Sequence, residues 1–196
     1  MLSIVKSMSL EGIDGNLVEI QTDIANGLPS FEIVGLPDVS VKESKERVRT
    51  AIKNTDIILP SKKILVNLAP ADKRKEGTIF DLPIAVGILS AFGEINKNNI
   101  NDFNSTVFLG ELSLDGKINR IKGILPMCME AKNLGIRRVV LPKQNAREAA
   151  LVEELEVIPV STLQEVIDYI NGNLNISKQV IDIRKIFESK DSYNID

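Results

Sequence analysis

Histidine and tryptophan are absent from this 196-residue chain, and cysteine occurs once, at Cys128. Without histidine there is no Ser-His-Asp triad, no Cys-His pair and no imidazole-ligated metal. A single thiol forms no internal disulfide and cannot build a cysteine-based structural zinc site, and it suits a reducing compartment. No apolar run reaches the roughly 18 residues of a membrane-spanning helix, so no membrane contact is expected. The opening MLSIVKSMSLEG is interrupted by Lys6 and Glu11 and does not read as a secretory signal, which makes the expected location cytoplasmic. An excess of cations is also missing. The net charge is −3 and the pI is about 5.2, which counts against a dedicated nucleic-acid module.

What is present reads as a folded α/β protein. Hydrophobic residues make up 43% and charged residues 26%, enough apolar material for a real core. LSIVKSMSL, NLVEIQTDI and SFEIVGL read as strands, separated by Gly12–Gly15 and by Asn26-Gly27-Leu28-Pro29. A helix is predicted over 39–53, capped by Asp38 or by Ser40 in a Ser40-x-x-Glu43 pattern, with Val41, Ser44, Val48, Ala51 and Ile52 on one face. A buried strand follows at 62–70, then a polar loop at 70–78. An apolar helix spans Leu82 to Phe92 with Pro83 in its first turn. STVFLGEL and LSLDGKIN suggest a strand pair turning at Asp115-Gly116. Helices are expected from Gly123 to Leu134, ending at Gly135, from Asn145 to Glu153 and from Thr162 to Ile170, with strands at RRVVLP and VIPV. Strands first and alternating elements later imply a mixed sheet packed with helices, of the two-layer α+β type. Residues 1–172 read as one domain and 173–196 as a polar linker or tail.

Several local patterns carry chemistry only in principle. Gly116-Lys117 invites comparison with a phosphate-binding loop. Glu111 stands where the first glycine belongs, however, and Ile118 where the magnesium-binding hydroxyl belongs. Lys73-Arg74-Lys75 is a compact basic run able to meet phosphate or an acidic subunit, or simply a solvated loop. Lys42, Lys45 and Arg49 offer a second basic surface on the predicted 39–53 helix, or a solvated face paired with Glu43 and Glu46. Arg137-Arg138 opens a strand, so one side chain must pair or snorkel. Asp72, Glu76 and Asp81 are close in sequence without forming an evident acid/base pair, and Asp81 reads as a helix cap beside Pro83.

Three long phrases, GLPSFEIVGLPDVSVKESKERVRTAI (27–52), LPSKKILVNLAPADKRKEGTIFDLPIAVGILSA (59–91) and LGELSLDGKINRIKGILPMCMEAKNLGIRRVVLPKQNAREAALV (109–152), resemble the N-terminal domain of the ComM/YifB proteins. These are magnesium chelatase-like AAA+ ATPases of bacteria. That domain is in turn similar to the proteolytic domain of Lon proteases and to the Lon-like end of RadA-type recombination proteins. The resemblance therefore implies a Lon-protease-like fold, of the ribosomal-protein domain 2-like kind. Lon-type peptidases use a serine nucleophile and a lysine base of depressed pKa. DLPIAVG (81–87) matches the nucleophile turn and GELSLDG (110–116) the strand pair before the lysine. The match puts Ile84 at the serine position and Met127, or a close neighbour, at the lysine position, and neither side chain can do that chemistry. Lys122, Thr78, Ser90 and Ser113 are the nearby groups from which a relocated dyad would have to be built. Ile84 and Met127 read instead as core or groove-lining residues.

The same resemblance implies an AAA+ module in cis beyond the tail, carrying the ATP and magnesium sites, and a hexameric whole protein. It further implies an ATP-dependent DNA helicase that drives branch migration in recombination and natural transformation. In that setting this chain is expected to be a non-catalytic scaffold or oligomerisation domain without a cofactor of its own. Two alternatives follow: a DNA-binding module using Lys73, Arg74, Lys75 and the helical basic face, or a Lon-like peptidase with a relocated dyad.

Overall fold

The structure is a computed structural model that describes residues 1–182. Its architecture is the α/β class expected, with a seven-stranded mixed sheet and five helices. Strands β1 (Leu2–Glu11) and β2 (Asp14–Ala25) form a long antiparallel hairpin closed at Gly12, whose φ of 65° suits the tight turn. β3 (Ser30–Val34) is followed by helix α1 (Val39–Lys53), and β4 (Lys63–Ala69) returns between β3 and β2. Helix α2 (Asp81–Ala91) follows, then β5 (Thr106–Phe108). β6 (Glu111–Leu112) and β7 (Ile118–Asn119) make a separate two-stranded ribbon. Helix α3 (Ile124–Asn133), β8 (Arg138–Pro142), α4 (Ala146–Ala149), β9 (Glu156–Val160) and α5 (Leu163–Ile170) complete the order. The sheet runs β3-β4-β2-β1-β5-β8-β9, so β3 and β9 are its two edges.

Alternation along the strands separates two buried clusters. Val107, Val139, Leu141 and Val157 point into a cluster with α3 and α4, whereas Phe108, Val140 and Ile158 point into the cluster with α1, α2 and α5. Successive side chains of a strand face opposite sides, so the helices cover both faces of this half of the sheet. On the β3-β4-β2 side the cluster with α1, α2 and α5 continues, and Val34 and Leu65 remain exposed on the other face. Gly35 makes the crossing after β3 possible. Its φ is 100°, and a Cβ there would lie 2.2 Å from the Leu68 carbonyl oxygen. No helix among the described residues is long and apolar enough to cross a membrane.

Some expected elements change. Asp38, not Ser40, caps α1: its carboxylate accepts the Val41 N–H at 2.7 Å, and Ser40 lies inside the helix. The strand over STVFL joins the large sheet, and only Glu111–Leu112 pairs with Ile118–Asn119. Helix α4 has four residues where Asn145 to Glu153 was expected, because 143–145 form a 3-10 turn and Asn145 is used elsewhere. The buried Asn145 amide donates to Ile121 O and its carbonyl accepts the Ile121 N–H, a link to the start of α3. Residues 173–182 carry no regular element, and the rest of the expected 173–196 tail lies outside the described residues.

Candidate functional site at the start of helix α2

Helix α2 reads DLPIAVGILSA, and all eleven residues are buried. A helix that is apolar all round must lie inside the protein. It can press against the sheet because of Gly87, whose missing Cβ would sit 2.7 Å from Thr22 Oγ1. Ile84 in its first turn is fully buried, in the cluster shared with α1 and α5. Met127 is equally buried but belongs to the α3–α4 cluster, beside Val107 and Leu109.

The start of α2 is closed by protein groups. The Asp81 N–H donates to Thr78 O at 3.3 Å, and the Leu82 N–H to Gly110 O at 3.0 Å. The next residue is Pro83, which has no N–H. The first-turn donors that a helix normally leaves free, the usual material of an oxyanion hole, are thus occupied or missing. Gly110 reaches this position because it has no side chain, since a Cβ would meet Ile118 Cγ2 at 2.7 Å.

Asp81 is not the cap its sequence context suggested. Phe80 occupies the N-cap position, with no side-chain cap bond. The Asp81 carboxylate turns into the protein and accepts from Ser44 Oγ (2.5 Å), Arg47 Nε (2.7 Å), Arg47 Nη2 (3.0 Å) and the Leu112 N–H (3.1 Å). One buried acid therefore joins α1, α2 and the β6–β7 ribbon. Burial pushes its pKa up, opposed by the Arg47 and Ser44 hydrogen bonds, the Arg47 charge and the Leu112 N–H. The Arg47 pKa is raised, chiefly by its hydrogen bond to Asp81. Every contact of the carboxylate is a donor, so we read the pair as ionised at neutral pH. Sequence inspection missed this pair because its members lie 34 residues apart; the polar Ser44 on the buried face of α1 was the available signal.

Beside it lies a second polar chain. Thr78 Oγ1 donates to Glu111, Asn119 Nδ2 donates to Glu111 at 3.1 Å and to Ser113 Oγ at 2.8 Å. Thr78 and Ser113 are thus engaged with acceptors or donors that are not lysines. Ser90 is buried on α2, and Lys122 is exposed just before α3.

The basic run at 73–75 does not form one surface. Lys73 Nζ reaches Asn16 Oδ1 at 2.7 Å, and Arg74 pairs with Glu76 at 3.2 Å, both exposed. Lys75 is 1% exposed, with its ammonium on the Gly35 and Pro70 carbonyls. Its backbone also exchanges hydrogen bonds with Leu36 and Asp38, so the residue is held inward from both ends. Burial lowers its pKa, against a raising contribution from Asp72. Lys75 is therefore turned into the protein, while Lys73 and Arg74 remain on the surface. Arg138, the half of the Arg137-Arg138 pair that had to find a partner, binds Glu156 at 2.8 Å. Lys117 pairs with Asp115 inside the ribbon turn.

This framework has relatives. A family model described as subunit ChlI of Mg-chelatase matches residues 20–145. Competence protein ComM of Haemophilus influenzae is 41% identical over 171 residues, 87% of this chain and 33% of the relative. The chain belongs to the ComM/YifB family. YifB of Escherichia coli is 36% identical over the same share of both chains. Lon protease 2 of Bacillus subtilis is 28% identical over 191 residues, 88% of this chain and 33% of that protein. The chain thus spans about a third of the length of the curated relatives it matches. Among the described residues no group of three or more His, Cys, Asp or Glu side chains could hold a metal.

Proposed function

We propose that this chain is a non-catalytic assembly platform of a ComM/YifB-type AAA+ ATPase. The observation that carries the reading is the start of α2. The position resembling a Lon nucleophile is a buried isoleucine, the lysine position falls at or next to Met127, which is buried in a different cluster, and the first-turn N–H groups are already bonded. Nucleophile, base and oxyanion donors are the three parts that acyl transfer needs. A relocated dyad finds little support. The buried lysine, Lys75, is held by two carbonyls, and Thr78 and Ser113 are bonded within the Glu111–Asn119 chain. A DNA-binding role loses Lys75 from its basic loop, and Lys42, Lys45 and Arg49 share their helix with Glu43 and Glu46.

In this reading ATP and magnesium act in an AAA+ module elsewhere in the whole protein, which works as a hexameric DNA helicase promoting branch migration. That the Haemophilus influenzae relative is a competence protein supports a link to natural transformation. Light scattering of this chain and of the whole natural protein, with and without ATP, tests the platform role. Assembly is expected, and a protein that stays monomeric under all conditions refutes it. Labelling of any serine by a fluorophosphonate probe would instead restore the peptidase reading.

A further inference from the structure

The two ends of the large sheet carry opposite charge. At the β3 end a groove of about 580 Å³ opens between the end of α1, the start of β3 and residues 57–62. Its walls include Phe31, Ile57, Leu59 and Ile88, and its charged members are Arg49, Lys53 and Lys62, with no carboxylate in the lining. Ile58 stands at its mouth, 92% exposed. Among the described residues β3 pairs only with β4, so it stands at an edge of the sheet. At the β9 end a second groove of about 470 Å³ has the reverse character: Glu153, Glu154, Glu156 and Asp182 line it against one lysine, Lys178. Residues 178–182 run beside β9, with the Gln179 N–H on Val157 O at 2.9 Å, and Val180 projects outward, 70% exposed.

We propose that the β3 groove receives the β9 end of a second copy of this chain. Val180 enters the apolar walls, and the Glu153 and Glu154 carboxylates meet Lys53 and Lys62. Charge selects this occupant. A two-fold contact of the groove with itself would set three cations against three, whereas the β9 end brings carboxylates. Within one chain the two ends cannot neutralise each other. Six strand spacings of about 4.8 Å put them roughly 29 Å apart, well beyond the screening length at physiological salt. The Glu154–Lys132 pair, 3.7 Å apart and exposed, is loose enough to exchange partners. Because the two surfaces differ, the contact is head-to-tail, and repeating it gives a ring when the rotation closes. The inference rests on the platform reading and names the faces that would serve it.

Charge-swapped variants test it by sedimentation velocity on the full chain. In Lys53→Glu/Lys62→Glu both ends are acidic, and in Glu153→Lys/Glu154→Lys both are basic. Each variant alone is expected to self-associate at least about tenfold more weakly than the wild type. A 1:1 mixture is expected to regain assembly, since each then finds a complementary end. Wild-type association should weaken with added salt. Val180→Glu gives an independent arm, with the same expected loss from a side chain that supports no core packing. Variants that assemble like the wild type, or a mixture that stays apart, overturn these faces and leave the platform reading standing. A wild-type chain that stays monomeric overturns these faces, and a whole natural protein that also stays monomeric with and without ATP overturns both.

Discussion

Replacing Arg47 by methionine isolates the buried acid that joins three elements. Methionine keeps an apolar stem of similar length, so the lost quantity is the guanidinium. That group makes two charge-assisted bonds to Asp81, at 2.7 and 3.0 Å, and a third to Ser40 O at 2.8 Å. Asp81 is fully buried, while Arg47 keeps 20% of its surface in water. Breaking a buried pair by removing one partner costs about 3–5 kcal/mol. Ser44 and the Leu112 N–H stay on the carboxylate, so the lower end applies, about 3 kcal/mol. For a chain of this length that lowers Tm by about 6–12 °C. The variant also acquires a signed pH dependence. Burial already raises the Asp81 pKa in the folded state, and loss of the guanidinium removes the main opposing group. A carboxyl whose folded pKa lies above its unfolded value contributes stability that is fully present below the unfolded pKa and is lost as pH rises through the folded one. The deficit of Arg47→Met against the wild type should therefore shrink as pH falls from 7 towards 4.5. Adding Asp81→Asn should remove that trend, because the amide does not titrate. Urea titrations of the three proteins at several pH values supply the data. A deficit under about 0.5 kcal/mol at pH 7, or one that grows in acid, refutes the reasoning.

Two further outcomes follow from burial. Ile84→Ser should yield no peptidase activity in a casein digest, and should lower stability by about 3 kcal/mol through a cavity and an unpaired hydroxyl; hydrolysis above background would contradict the account of α2. Cys128 is 1% exposed, and its thiol pKa is pushed up to about 12 by burial, with Glu148 adding to it. At pH 8 the thiol is therefore held in its unreactive protonated form. A disulfide reagent should react with it only when denaturant opens the fold, and rapid native-state labelling would show that α3 is less securely packed than described.

Local signals in the sequence were strong where the structure needs only neighbours. Helix α1, its Asp38 cap among the two candidates, the Gly135 stop and the β1–β2 hairpin all depend on residues a few positions apart. The ComM/YifB membership was legible because long phrases match in order. The sheet order was not, since pairing β1 with β5 across about a hundred residues leaves no local mark. The role of Asp81 and the burial of Lys75 share that cause. Each side chain turns inward because groups far along the chain, Arg47 and Ser44 for one and the Gly35 carbonyl for the other, arrive to meet it. A run such as Lys73-Arg74-Lys75 looks uniform until the third residue is tied to Leu36 and Asp38 and its neighbours are not.

Helix α2 has no outward side, and this limits how its sequence can drift. A helix with one wet face can exchange residues freely along that stripe, but here all eleven positions are buried, so the apolar ones admit only apolar replacements of similar size and Asp81 is held by its donors. Gly87 is barred from gaining even a methyl group by Thr22. The phrase DLPIAVG can therefore outlast the chemistry it resembles. What keeps it recognisable is the space it fills, so the presence of such a phrase reports packing and is no measure of reactivity.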